Sequence, residues 1–297
     1  MPPLHLDFFD SGRSRPVPVS FHPPAPGTPR PWPLVVFSPG FGGGREGYGG
    51  LARAWAAAGL AVAVLEHSGS GPEALARLNL LPRAHRSEAL YEWVRDPEEV
   101  RARAGDVAFV LDRLAEEGRV DPDRVGLAGH SYGACTALAV GGVPVTRLSG
   151  GPLRLGDPRV RAVQALSPPS PGLFFADEDH GRLEVPALLI TGDLDFGPFR
   201  DSPREDRTRA FPLLPRDRAW MAVFRGADHM TFAEMGLRHR RFMEPLQGLT
   251  SAWWRWALAG GAAPDSGWVA REVGGPELVA WSEPLRPVPG PSAAPPG

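Results

Sequence analysis

The chain has 297 residues and a formal net charge of −2, with hydrophobic residues at 42% and charged residues at 22%. Those values suit one globular α/β domain with a large core, and without any basic block they exclude a nucleic-acid-binding footprint. All 32 basic residues are Arg, which with 35 Pro is the composition of a GC-rich genome and a heat-tolerant protein, and the single cysteine, Cys135, excludes an intramolecular disulfide or a thiolate metal site.

Met1-Pro-Pro-Leu-His-Leu-Asp lacks the basic start and apolar core of a signal peptide, and no apolar run is long enough to span a bilayer. The chain as given is therefore expected in the cytoplasm, or outside the cell where a leader has been trimmed. Leu4–Phe9 and Val17–His22 read as an edge hairpin, and 23–33 as a Pro-rich connector. Pro33–Ser38 is a continuous apolar run, the signature of a parallel strand buried on both faces, and it ends in the Gly-rich turn Pro39-Gly40-Phe41-Gly42-Gly43-Gly44. An Ala-rich helix over 48–58 and a buried strand over 61–65 follow. Residues 72–95 have helical composition broken at Pro82 and are expected to form a small cap over the strand ends.

Asp96-Pro97-Glu98-Glu99 starts a helix, with Asp as N-cap, Pro in the first position and acids in the first turn. Val107, Val110, Leu111 and Leu114 keep helical spacing beyond it. Val125–Ala128 is a strand leading into Gly129-His130-Ser131-Tyr132-Gly133, a Gly-x-Ser-x-Gly elbow followed by small, helix-compatible residues among which Cys135 packs. Further strands are read at 160–166, 187–191 and 220–224, and an amphipathic helix at 242–259. The expectation is one α/β domain over 1–262, a mostly parallel doubly wound sheet with helices on both faces. After it comes a Pro/Gly-rich extension over 263–297 whose end is disordered.

Every residue suited to chemistry falls after a strand. A serine needs a base to take its proton, and that base needs an acid to hold its tautomer. After Ser131 only His180, His229 and His239 remain; His180 sits in an acidic loop read as exposed and His239 among arginines, leaving His229 as the base. Asp195 is the acid, three residues past Gly192, with Asp193 and Asp228 read as turn residues. The order Ser, Asp, His is that of α/β-hydrolases. Oxyanion donors are expected from the backbone N–H groups of Phe41 and Tyr132, and Phe41, Tyr132, Phe196 and Phe199 are expected to line an apolar pocket. The Gly-rich turn lacks the Lys-Ser/Thr of a phosphate-binding loop, and no cofactor or metal is called for.

The Ser38–Gly43 loop, His67-Ser-Gly-Ser70, the Asp106–Asp112 helix segment, Gly129–Gly133, Gly192–Asp195 and Asp228-His229 together resemble the predicted dienelactone hydrolase group. Platelet-activating-factor acetylhydrolases and cutinase-like polyester hydrolases are similar to that group. The resemblance, over about residues 30–260, implies a serine esterase with Ser131, Asp195 and His229 as triad and a small-molecule or polymeric ester as substrate. True dienelactone hydrolases resemble this fold but carry cysteine at the elbow, and the cutinase-like enzymes carry a Trp where Ser167-Pro168-Pro169 stands here. An acyltransferase with the same triad, and an idle scaffold acting as a binding protein, are the alternative readings.

Overall fold

A computed structural model describes residues 2–197, 207–236, 238–273 and 278–283. Strands β1 (Leu4–Asp10) and β2 (Arg15–His22) form the expected hairpin, paired from Leu4 with Phe21 to Asp10 with Arg15. β3 (Trp32–Ser38) and β4 (Ala61–Leu65) are buried along their whole lengths, as their continuous apolar runs require. β5 (Val120–His130), β6 (Val160–Leu166), β7 (Ala187–Leu194) and β8 (Ala219–Asp228) extend the sheet, and β9 (Leu278–Ser282) closes it.

The sheet order is β1-β2-β4-β3-β5-β6-β7-β8-β9. From β4 to β8 all neighbours are parallel; β1, β2 and β9 make the antiparallel margins. Side-chain alternation divides β3 between two cores: Leu34 and Val36 pack on one face, Val35 and Phe37 on the other. The first face is covered by α4 (Pro97–Glu116) and α5 (Tyr132–Val140), the second by α1 (Gly49–Ala57) and α6 (His239–Ala259). On α6, Trp253, Trp254 and Trp256 anchor the second core against Trp220 and Trp55. Burying each such ring contributes on the order of 2–3 kcal/mol. The sheet with helices on both faces is the architecture expected from the sequence.

Local signals explain the boundaries. Asp96 accepts a hydrogen bond from the Glu98 N–H at 2.9 Å with Pro97 at the first position of α4, a cap worth about 1 kcal/mol. α2 (Pro72–Leu80) and α3 (Arg86–Val94) are joined by a short 3-10 turn after Pro82. Trp93 on α3 donates to the Gly69 carbonyl at 3.0 Å and sets its ring edge-on to Phe41 at 5.5 Å, so the pair lies beside the strand ends. Past Gly260 the chain adds α7 (Ser266–Glu272), capped by Asp265, and β9, which pairs with β8. Their short apolar stretches are hidden among Pro and Gly in the sequence. Residues 284–297, the end of the expected tail, lie outside the described residues. Among the described residues no helix is long and apolar enough to cross a membrane.

Candidate active site

The strand–turn–helix at 120–140 is built on two close approaches. A Cβ on Gly129 would lie 2.0 Å from the Gly133 carbonyl oxygen, and one on Gly133 would lie 1.8 Å from the Ser38 carbonyl oxygen. Only glycine lets β3, β5 and α5 meet this tightly. Between them Ser131 is held at φ 55°, ψ −116°, a conformation worth about 1–3 kcal/mol of strain that turns its hydroxyl off the end of the sheet. Every residue of α5 is buried, Cys135 included, so the helix is wedged in place from all sides.

Ser131, His229 and Asp195 meet at the ends of β5, β8 and β7. His229 Nε2 lies 3.0 Å from Ser131 Oγ, and His229 Nδ1 lies 3.1 Å from Asp195 Oδ1. The Asp195 side chain is fully buried. Burial opposes its charge, but hydrogen bonding to His229, the Arg207 guanidinium 3.3 Å away and the Ser167 hydroxyl hold its carboxyl down at about 2. Thr191 Oγ1 donates to Asp195 Oδ2 at 2.8 Å. An ionised Asp195 favours the proton on Nδ1, which leaves the Nε2 lone pair facing a serine hydroxyl. That arrangement can take the hydroxyl proton as a nucleophile forms.

Residues not assigned from sequence hold these groups. His130, next to the nucleophile position, donates from Nε2 to the His229 carbonyl at 3.0 Å and accepts from the Tyr48 hydroxyl on Nδ1 at 3.0 Å. Burial, helped by neighbouring His229, pushes its pKa well below the usual histidine range, so it is a neutral strut. Arg207 donates from Nε to the Asp195 carbonyl at 3.0 Å, and from Nη1 to the carbonyls of Ser167 and Pro168 at 3.0 and 2.6 Å.

The loop after β3 lies directly against the elbow: a Cβ on Gly40 would sit 3.3 Å from that of Ser131. Gly42 N–H bonds the Ser70 carbonyl at 2.7 Å and Gly43 N–H the Gly40 carbonyl at 3.0 Å. The N–H groups of Phe41 and Tyr132 have no acceptor among the described residues. Beneath the loop, Arg103 is 1% exposed and reaches Thr136 Oγ1, Ser70 Oγ, Ser38 Oγ and the Pro39 carbonyl at 3.0, 2.6, 2.9 and 2.5 Å. Ser38 also contacts His67 Nε2 at 2.9 Å, and His67 Nδ1 contacts Asp106 Oδ2 at 2.9 Å. This second Ser-His-Asp row is sealed from solvent and its serine is tied to Arg103, so it braces the loop instead of meeting a ligand. Burial and the charge of Arg103 push His67 down to about 4.

A cleft open to solvent begins at Ser131. Its apolar lining comes from Phe41, Leu90, Val94, Tyr132, Leu173 and Phe174, so the cap helix α3 forms one wall. The Tyr132 ring is stacked on Phe174 and carries the Arg103 guanidinium 4.3 Å from its centre. Phe196, expected in the lining, is instead 56% exposed; its neighbour Gly197 borders the cleft. The backbone past the buried Asp195 turns that ring outward, which residue type and spacing do not reveal. Phe199 lies outside the described residues. His180, read as exposed, is 1% exposed: its Nδ1 bonds the Ala176 carbonyl at 3.0 Å and its ring packs on Phe175. Asp228, the last residue of β8, accepts from Thr231 N and Oγ1, whereas Asp193, read as a turn residue, lies within β7 and accepts from Gly226 N of the neighbouring β8.

The family model described as platelet-activating factor acetylhydrolase, isoform II, matches residues 16–94, from β2 to the end of α3. That stretch carries the loop at Phe41 and the cap but not the elbow. No curated protein sequence matches the chain. Among solved structures the chain is similar to the 2,6-dihydroxy-pseudo-oxynicotine hydrolase, at 18% identity over 89% of this chain and 71% of that one, TM-score 0.59. It is similar to the ferulic acid esterase from Streptomyces cinnamoneus, at 24% identity over 90% and 93%, TM-score 0.58. It is also similar to the acylaminoacyl peptidase of Pyrococcus horikoshii, at 16% identity over 89% of this chain and 43% of that one, TM-score 0.60. The fold is the α/β-hydrolase fold.

Proposed function

We propose that this protein is a serine esterase that hydrolyses carboxylic esters with an apolar acyl or alcohol part through an acyl-serine intermediate. The observation that carries this reading is the unbroken hydrogen-bonded row from Ser131 through His229 to Asp195 at the mouth of an apolar cleft. Ser131 Oγ attacks the ester carbonyl while His229 Nε2 takes its proton. Asp195 steadies the imidazolium that results. The oxyanion is met by the free N–H groups of Phe41 and Tyr132, donors worth about 3–4 kcal/mol each in the transition state. His229 then returns the proton to the departing alcohol, and a water activated by the same imidazole releases the acid and restores Ser131. The family match over residues 16–94 supports ester chemistry through the loop and cap it covers.

Residues 72–95 act in this reading as a fixed wall of the acyl pocket. A series of p-nitrophenyl esters from acetate to decanoate tests it: turnover is expected to vanish in Ser131→Ala, and KM to rise once the acyl chain outgrows the cleft. Full activity of Ser131→Ala on p-nitrophenyl acetate overturns the reading.

A second reading, of a water-insoluble or polymeric ester such as cutinase-like enzymes take, is favoured by exposed apolar side chains on the cap and next in sequence to Asp195 and His229. Leu80, Leu81 and Tyr91 on the cap, and Phe196 and Met230 beside the other site residues, are all more than one-third exposed. Hydrolysis that jumps when a short ester passes its solubility limit supports it; a smooth hyperbola across that limit counts against it.

A further inference from the structure

The nearest acceptor to His229 Nδ1 is not Asp195. Ser167 Oγ lies 2.6 Å from that nitrogen, against 3.1 Å for Asp195 Oδ1, and the same hydroxyl lies 2.8 Å from Asp195 Oδ1. Ser167 is fully buried and sits at φ 51°, a left-handed conformation that serine seldom adopts. Three bonds hold it there: its N–H to the Ile190 carbonyl at 2.7 Å, its carbonyl to Arg207 Nη1 at 3.0 Å, and the preceding Leu166 carbonyl to the Ser131 N–H at 2.9 Å.

We infer that Ser167 is a positioning residue of the catalytic row, bridging His229 and Asp195; this rests on the acyl-serine reading above. A hydroxyl has one proton, and an ionised carboxylate only accepts, so the Ser167 proton points at Asp195. Its lone pair is then left for His229 Nδ1–H. The bridge therefore fixes the tautomer in which Nε2 is free to take the Ser131 proton, and Ser167 keeps its own proton throughout the cycle. It touches neither substrate nor cleft, so its loss acts on kcat and leaves KM alone.

Replacing the aspartate of such a row by asparagine typically costs about 10⁴-fold, because the imidazole takes the wrong tautomer. Here the Ser167 hydroxyl still accepts from Nδ1–H in Asp195→Asn, so the expected loss is only about 10²-fold. Ser167→Gly, which suits φ 51° without a Cβ, is expected to lower kcat on p-nitrophenyl acetate about 10-fold alone and about 100-fold in the Asp195→Asn background, with KM unchanged in both. Ser167→Ala, run in parallel, removes the same hydroxyl while keeping Cβ, and thermal melting checks that each variant is folded. An equal factor in both backgrounds, or none in either, overturns the inference while Ser131-dependent turnover of the wild type leaves the esterase reading standing. A wild type with no Ser131-dependent turnover overturns both.

Discussion

Gly133→Ala tests how the elbow is built. The added methyl would start 1.8 Å from the Ser38 carbonyl oxygen and 2.8 Å from that of Pro39, where real Cβ contacts do not fall below 3.0 Å. Relief requires α5 to retreat from β3 by about 1.2 Å, the difference between 3.0 and 1.8 Å. Neither side yields easily, because α5 is buried all round and β3 lies between parallel neighbours. The retreat carries Ser131 and the Tyr132 N–H away from His229 and from Phe41. A misplacement of about 1 Å costs on the order of 10²-fold in rate, and overpacking of this kind about 1–3 kcal/mol of stability. Gly181→Ala serves as control, since the nearest atom to its added Cβ is 3.9 Å away. The assay is kcat on p-nitrophenyl acetate beside a thermal melt. Wild-type turnover and an unchanged melt in Gly133→Ala would refute the account of the elbow.

Arg103→Met leaves the hydroxyls of Ser38, Ser70 and Thr136 and the Pro39 carbonyl without their cation. Stability is expected to fall by about 3–5 kcal/mol in urea denaturation and kcat by about 10²–10³-fold as the Phe41 N–H loses its position; a wild-type kcat contradicts this. Buried His67 makes stability fall on acidification. Its folded pKa of about 4 lies below the ordinary 6.5, so between those values the unfolded chain holds the extra proton, and stability drops as pH falls from about 6.5 to 4. That shift corresponds to about 3 kcal/mol, and His67→Gln should flatten the dependence by a comparable amount when denaturation midpoints are compared across the window. Leu90→Trp narrows the cleft from the cap side and should raise KM for p-nitrophenyl octanoate at least ~10-fold while sparing the acetate; equal effects on both would move the acyl chain away from α3.

The central strands, the elbow and the start of α4 were legible because each is specified locally. Continuous apolar runs can only be buried parallel strands here, and Asp96-Pro97 carries its own cap chemistry. The grouping of Ser131, Asp195 and His229 followed from strand order, since parallel strands bring their C-terminal ends to one edge. What stayed hidden depends on side-chain direction. Arg103 on a helix reads as a solvated charge, yet it is buried beneath the loop that carries Phe41. Ser167 stands in a run of serines and prolines that reads as a turn, and only its φ of 51° aims the hydroxyl between His229 and Asp195. Phe196 shows the reverse: an aromatic expected in the pocket lining, it has its ring turned to solvent. β9 escaped because an edge strand needs only a short apolar stretch once β8 offers a free margin.

The acyl-serine intermediate is the central claim, and intact-protein mass spectrometry during turnover tests it most directly. Mixing the enzyme with excess p-nitrophenyl ester and quenching in acid should show one added acyl group per chain, mapped to the peptide containing Ser131 and absent in Ser131→Ala. Turnover with no acylated species, together with a p-nitrophenol release that Ser131→Ala leaves intact, would contradict it.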